Sequence, residues 1–302
     1  MLRVIGVGDN FVDRYWDEGI MYPGGNSVNF AVYASQMGVS GTYCGVFADD
    51  TEAELIRDAL ERQGVDYSHS TFLHAGETGK GSIRLIEGDR VISDDNEGGS
   101  VRTETLIITD ELLKYLKEFD VIHTCCYGYL TKQLPKLSSC GVPVIYDFSD
   151  QWNEELFQEL CPHIKIAFFS GSGWKEEKLK DALQKACACG AEIAITTRGE
   201  NGAMAYGRGQ FFKKAPYRIE GNILDTMGAG DAFLTGFTVA YYSGKKLYRE
   251  MTGDAAIELA SEDSGDFFKQ LVEYAMHVGN LRAWKSCGTK GAFGMGVPIN
   301  KK

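Results

Sequence analysis

Between Asp225 and Phe237 the chain reads Asp225-Thr226-Met227-Gly228-Ala229-Gly230-Asp231-Ala232-Phe233-Leu234-Thr235-Gly236-Phe237, so two glycines and an alanine turn directly into a helical pattern running towards Tyr242. The first N–H groups of such a helix lack intrahelical acceptors and sit at the positive end of its dipole, which draws phosphate. Asp231 would then stand beside a bound anion, a costly place for a carboxylate unless it takes a proton from an attacking hydroxyl. The chemistry this suggests is phosphoryl transfer to an alcohol, with the amides of Gly228, Ala229 and Gly230 stabilising the moving charge and Asp231 as the base. A competing reading is a tight turn followed by an acid that the helix dipole favours. Gly-x-Gly-Asp by itself does not separate the two.

Elements must bring this segment to a sheet edge. Short apolar, β-branched runs over Arg3 to Gly8, Gly41 to Phe47, Val121 to Cys126, Val142 to Phe148, Ile164 to Phe169 and Glu192 to Thr197 read as buried strands. Helical patterns alternate with them: Asn26 to Met37, Thr51 to Gln63 with a Thr51-x-x-Glu54 capping box, Thr109 to Glu118, Trp174 to Cys189, and two long C-terminal segments. The alternation predicts an α/β fold with a mostly parallel sheet. Residues 10 to 24 and 70 to 102 break the pattern and predict exposed antiparallel strands, a small inserted β lid beside the sheet's carboxyl edge, where open α/β sheets bind ligands. With no linker or repeat, the 302 residues read as one domain carrying that lid.

Composition narrows the classes further. A formal net charge of -11 disfavours nucleic acid and anionic membrane surfaces as partners. No apolar run reaches the roughly 20 residues of a membrane span, and the first seven residues are too few for a signal peptide, so the expected compartment is the cytoplasm. The eight cysteines include no Cys-x-x-Cys pair and read mostly as buried thiols, with chelation or oxidation at Cys187-Ala188-Cys189 as the lesser alternative. Gly6-Val7-Gly8 after an apparent strand hints at a dinucleotide fold, but the third glycine is missing and Asp13 comes too early for a ribose-binding acid.

Asp225 to Phe237 resembles the second signature of the ribokinase-like carbohydrate kinases, the PfkB family, and Gly24-Gly25-Asn26-Ser27-Val28-Asn29-Phe30-Ala31 resembles the first. The similarity runs from Gly8-Asp9-Asn10-Phe11-Val12-Asp13 to Gly288-Thr289-Lys290-Gly291-Ala292. Within the family the chain looks most like the fructoselysine 6-kinases, through Asp147-Phe148-Ser149-Asp150-Gln151-Trp152 and Ala167-Phe168-Phe169-Ser170. The resemblance implies a three-layer α/β/α domain and an ATP- and Mg2+-dependent kinase of a primary hydroxyl on a sugar or fructosamine, with fructoselysine as the favoured acceptor. Other sugar or nucleoside kinases, and a non-catalytic sugar- or nucleotide-binding regulator on the same fold, are the alternatives. It also implies a lid-mediated homodimer.

Residue by residue, the resemblance places Asp9 and Asp13 as carboxylates accepting bonds from sugar hydroxyls. Asp9 as a turn residue and Asp13 as a lid-surface charge are the plainer readings. Gly24 and Gly25 would let backbone approach the substrate, and Asn26 and Asn29 would share one helical face, although Asn26 could be only an N-cap. Thr197, Gly199 and Gly202 match a nucleotide-side loop. Asp225, Gly288 and Gly291 match a monovalent-cation site, expected to take K+. Many members carry Asn-x-x-Glu after the strand matching Ile164 to Phe169; here that place reads Ser170-Gly171-Ser172-Gly173-Trp174-Lys175-Glu176-Glu177, without the asparagine. Glu176 or Glu177 would reach magnesium through water. The acidic lid residues Asp94, Asp95 and Glu97 either face the ammonium groups of a fructosamine or form an ordinary solvated loop.

Overall fold

The computed structural model describes residues 1–86, 89–217, 223–252 and 265–299. Residues 87–88 of the expected lid and 253–264 of the C-terminal helical segments lie outside the described residues. The six β-branched runs form β1 (Arg3–Gly8), β4 (Ser40–Phe47), β8 (Val121–Cys125), β9 (Val144–Asp147), β10 (Ile166–Ser170) and β11 (Ile193–Thr197). They pair in parallel, in the spatial order β11-β10-β9-β8-β1-β4. A short β5 (Thr71–Phe72) extends the sheet beyond β4, and a single-turn α3 (Ser100–Thr103) lies farther along the chain. An antiparallel hairpin, β12 (Ala203–Gly207) and β13 (Gln210–Lys214), extends it beyond β11. Both faces of the parallel strands are buried, as their near-continuous apolar sequences require.

One face packs α4 (Asp110–Leu116), α5 (Leu134–Ser138), α6 (Glu154–Leu160) and α7 (Glu176–Ala188) through Leu112, Leu134, Leu160 and Leu183. The other packs α1 (Asn26–Gln36), α8 (Ala229–Thr252) and the last helix, α9 (Gly265–Ser286), through Phe30, Phe237 and Val272. Two glycines let α1 settle on the strands. A Cβ at Gly6 would stand 2.2 Å from the Ser27 carbonyl oxygen, and one at Gly41 2.2 Å from that of Ala31. The helix backbone therefore touches the sheet directly.

The two pattern-breaking stretches build a second sheet. Its order is β14-β3-β2-β6-β7, from β14 (Val297–Pro298), β3 (Ile20–Gly24), β2 (Phe11–Tyr15), β6 (Gly79–Ile86) and β7 (Asp89–Asp94). One expectation is corrected here: β2 and β6 pair in parallel, because β6 arrives over a long connection through the main sheet, while the other pairs are antiparallel. A second correction concerns α2 (Thr51–Arg62), whose N-cap is Asp50 rather than Thr51 of a capping box. Asp50 Oδ1 accepts from Ala53 N at 2.8 Å and its Oδ2 from Thr78 N at 2.7 Å. One carboxylate thus caps a helix and ties the lid to it, which the Thr51 hydroxyl is too short to do.

Candidate active site

The carboxyl ends of β1, β8, β9, β10 and β11 open, with the lid, onto a cavity of about 1650 Å³. At its centre α1 meets α8. Asn26 and Asn29, on the first turn of α1, point their amide nitrogens at Asp231 on the first turn of α8: Asn26 Nδ2 donates to Oδ1 at 2.9 Å and Asn29 Nδ2 to Oδ2 at 2.6 Å. Asn26 Nδ2 also donates to Asp147 Oδ2 at 2.8 Å, and its Oδ1 meets His123 Nε2. Burial holds His123 neutral, its pKa lowered to about 3, so Nε2 carries a proton only if it is the donor tautomer, as the carbonyl partner requires. Asn26 is therefore fixed in orientation rather than acting as a simple cap.

Asp9, at the end of β1, does the capping. Its Oδ2 accepts from Asn26 N at 2.6 Å and its Oδ1 from Ser27 N at 2.9 Å, with the Cys125 thiol at 3.1 Å. The α1 N-terminus needs this because Gly25, its N-cap residue, has no side chain to offer. Asp9 lines the cavity, but its two oxygens already hold the helix, so the turn-residue reading and the binding reading meet in one residue. Gly25 has a φ of 103° and a Cβ there would lie 2.7 Å from Asn10 Cα. Gly24 is absent from the lining, and a Cβ on it would lie 3.1 Å from Asp13 Oδ2. The two glycines make room for the protein's own Asn10 and Asp13, and Gly25 itself lines the cavity.

Asp13 is 7% exposed, lines the cavity and has no hydrogen-bond partner among the described residues. Burial first, and Asp225 second, raise its pKa to about 7. Asp231 is raised further, to about 8, by burial against the lowering bond from Asn29, with Asp147, Asp9 and Asp13 adding like charge. Burial also lifts Asp147 to about 6, despite bonds from Ser149 N and Asn26. Carboxylates perturbed in this direction by burial and mutual repulsion mark a site poised to hold and move protons near neutral pH.

The anion cradle lies at the start of α8. Gly228 takes a φ of 68°, where a Cβ would strike Ala292 Cβ and the Tyr33 hydroxyl at 2.7 Å. Ala229 N folds back onto Thr226 O at 3.2 Å and Ala232 N reaches Gly228 O at 2.8 Å, which leaves Gly230 and Asp231 as the first-turn amides with no backbone acceptor among the described residues. Of the three amides expected from the sequence, that of Ala229 is thus engaged. A Cβ on Gly230 would meet nothing within 4 Å, so this backbone faces open cavity. The cradle fits a phosphate. Thr197, Gly199, Gly202 and Gly288 line the same end, with Tyr217 and Trp284.

The expected metal residues divide differently. Among the described residues no group of three or more His, Cys, Asp or Glu side chains is placed to hold a metal ion. Glu176 is committed elsewhere: Lys213 and Lys180 hold its carboxyl down to about 2, Arg198 lies 3.3 Å away, and neither Glu176 nor Glu177 lines the cavity. Asp225 is 1% exposed and accepts hydrogen bonds on both carboxylate oxygens. Tyr15 Oη donates to its Oδ2 at 2.6 Å, Gly291 N to the same oxygen at 3.0 Å and Met227 N to Oδ1 at 2.8 Å. This clasp joins lid, cradle and C-terminal loop.

Asp147, His123, Asn10 and Asp150 were not singled out as site residues by sequence reasoning. Asp147 ends a buried parallel strand, which is a usable signal for a ligand-facing residue. His123, inside β8, carries no such signal.

With this geometry in place, comparison with known proteins is informative. The model of the pfkB family carbohydrate kinases matches residues 17–261. The chain is 32% identical to fructosamine kinase FrlD of Bacillus subtilis (strain 168) over 299 residues, 98% of this chain and 95% of that one. It is 34% identical to fructoselysine 6-kinase of Escherichia coli (strain K12) over 241 residues, 80% of this chain and 90% of that one. A solved structure of Arabidopsis thaliana ribokinase complexed with ribose and ATP shares its fold, with a TM-score of 0.73 at 18% identity over 97% of this chain and 95% of that one. The family match covers most of the chain, and the protein belongs to the pfkB family of carbohydrate kinases, phosphotransferases that act on a sugar hydroxyl.

Proposed function

We propose that this chain is an ATP-dependent fructosamine 6-kinase with fructoselysine as its acceptor. The observation that carries the chemistry is the placement of Asp231, gripped by Asn26 and Asn29, beside the open Gly230 cradle in one cavity. Asp231 takes the proton of the acceptor's primary hydroxyl as that oxygen bonds to the γ-phosphorus and the bond to the bridging oxygen of ADP breaks. The Gly230 and Asp231 amides hold the charge on the transferring group. Magnesium brought by the nucleotide neutralises phosphate charge, and the phosphates rather than a protein cage supply its ligands.

The acceptor class rests on the two relatives named above and on the charge of the cavity. Asp9, Asp13, Asp94, Asp147, Asp150, Glu200 and Asp231 line it, and among the described residues the one base in the lining is Lys285, near the cradle. A phosphorylated or carboxylated sugar meets repulsion there, whereas an amine-bearing sugar is drawn in. Among the described residues no helix is long and apolar enough to cross a membrane, and all eight cysteines are free thiols, which supports action in the reducing cytoplasm. The test is ADP release with Mg-ATP across fructoselysine, other fructosamines, fructose, ribose and adenosine. The highest kcat/KM is expected with fructoselysine; preference for free fructose would overturn the acceptor.

A further inference from the structure

We infer that the acceptor end of the cavity carries a subsite for the cationic nitrogen of an amine-linked substituent, formed by Tyr127, Tyr129, Asp150 and Asp94. This rests on the fructosamine reading and adds the residues that would select for it. Tyr127 and Tyr129 lie in and just after the single 3-10 turn that follows β8, Asp150 follows β9, and Asp94 ends β7 of the lid. All four line the cavity. The Tyr127 hydroxyl donates to Ser149 Oγ at 3.2 Å and Asp150 Oδ1 at 3.4 Å, which fixes ring and carboxylate as one unit. Asp94 Oδ1 accepts from Asn96 N and Gly98 N, both at 3.2 Å, and Oδ2 takes no bond among the described residues. Two tyrosine rings with two carboxylates match an alkylammonium group, which gains from ring quadrupoles and from charge.

Among the described residues the chain supplies no cation of its own here. Arg102 pairs with Glu97 and Lys80 with Glu77, while Asp95 accepts from Ser82 and Ser93, so of the three acidic lid residues only Asp94 turns to the cavity. A separate observation points to a donor-rich ligand at the same end. The Asp13 carboxylate, 7% exposed, belongs to the cavity wall and has no hydrogen-bond partner among the described residues. Acceptors are in surplus and donors are missing. Tyr127 is 38% exposed, so the rim stays open for a substituent to run outward from the sugar.

The experiment compares kcat/KM for fructoselysine and for fructose in the parent protein, Asp150→Asn and Tyr127→Leu, with folding checked by circular dichroism. The fructoselysine-to-fructose ratio is expected to fall about 10-fold or more in each variant, chiefly through the KM of fructoselysine, and added salt should narrow the ratio in the parent more than in Asp150→Asn. An unchanged ratio in both folded variants, with the parent still preferring fructoselysine, overturns the subsite alone. A parent protein without that preference overturns the fructosamine reading and the subsite together.

Discussion

Half-buried Asp231 and buried Asp13 share one cavity with opposite surroundings: the first accepts a bond on each oxygen, the second none among the described residues. For Asp13 the consequence is measurable in stability. Its pKa of about 7 in the folded chain lies above the ordinary value of about 3.9 expected on unfolding. Between those values the folded chain holds a proton that the unfolded chain releases, so the contribution is complete at low pH and is lost as pH rises through 7. Asp13→Asn cannot lose that proton. Its melting temperature is therefore expected to exceed the parent's at about pH 8.5, with the gap closing towards about pH 5; a variant less stable than the parent at both would contradict the buried, unpartnered carboxylate. At this scale the sequence showed the types but not their duties. Asp9, Asn26 and Asp231 stood in motifs, yet that Asp9 caps α1 and that His123 orients Asn26 depends on which strand lies next to β1, information no local spacing carries.

At the level of elements, α1 is the piece that must be placed accurately, since both asparagines ride on its first turn. Its seat is set by Gly6 and Gly41, where helix carbonyl oxygens occupy the space of a side chain. Gly6→Ala is expected to destabilise the fold by about 1–3 kcal/mol through overpacking, read as a lower urea midpoint at unchanged slope, and to lower kcat because Asn26 and Asn29 shift from Asp231. A full kcat would mean that the seat does not position the site. The strands that carry α1 were legible because continuous β-branched runs leave no other reading for a buried parallel sheet. The β12–β13 hairpin was not foreseen: an edge strand ending in Lys213 and Lys214 with exposed Phe211 carries no clear period. The Asp50 cap was missed because Thr51-x-x-Glu54 satisfies the same rule one residue later.

Across the whole molecule, two sheets that meet at the end of β1 make one cavity with two chemically distinct ends. The phosphate end is built of glycine and backbone amides, the acceptor end of carboxylates and tyrosines. The Tyr15–Asp225–Gly291 clasp ties the lid to both. The lid's existence and place were legible from the break in helix–strand alternation, whereas the parallel pairing of β2 with β6 was not, because strand order depends on a connection that loops through the main sheet. The same holds for Glu176, which besides its local partner Lys180 pairs with Arg198 and with Lys213 on a strand distant in sequence. The central claim is that this cavity transfers a phosphoryl group to an alcohol with Asp231 as proton acceptor. Its most direct test is ADP release by folded Asp231→Asn against the parent protein, with fructoselysine and Mg-ATP. The account predicts a fall in kcat of roughly 10²- to 10⁴-fold with nucleotide binding retained; turnover equal to the parent's would contradict it.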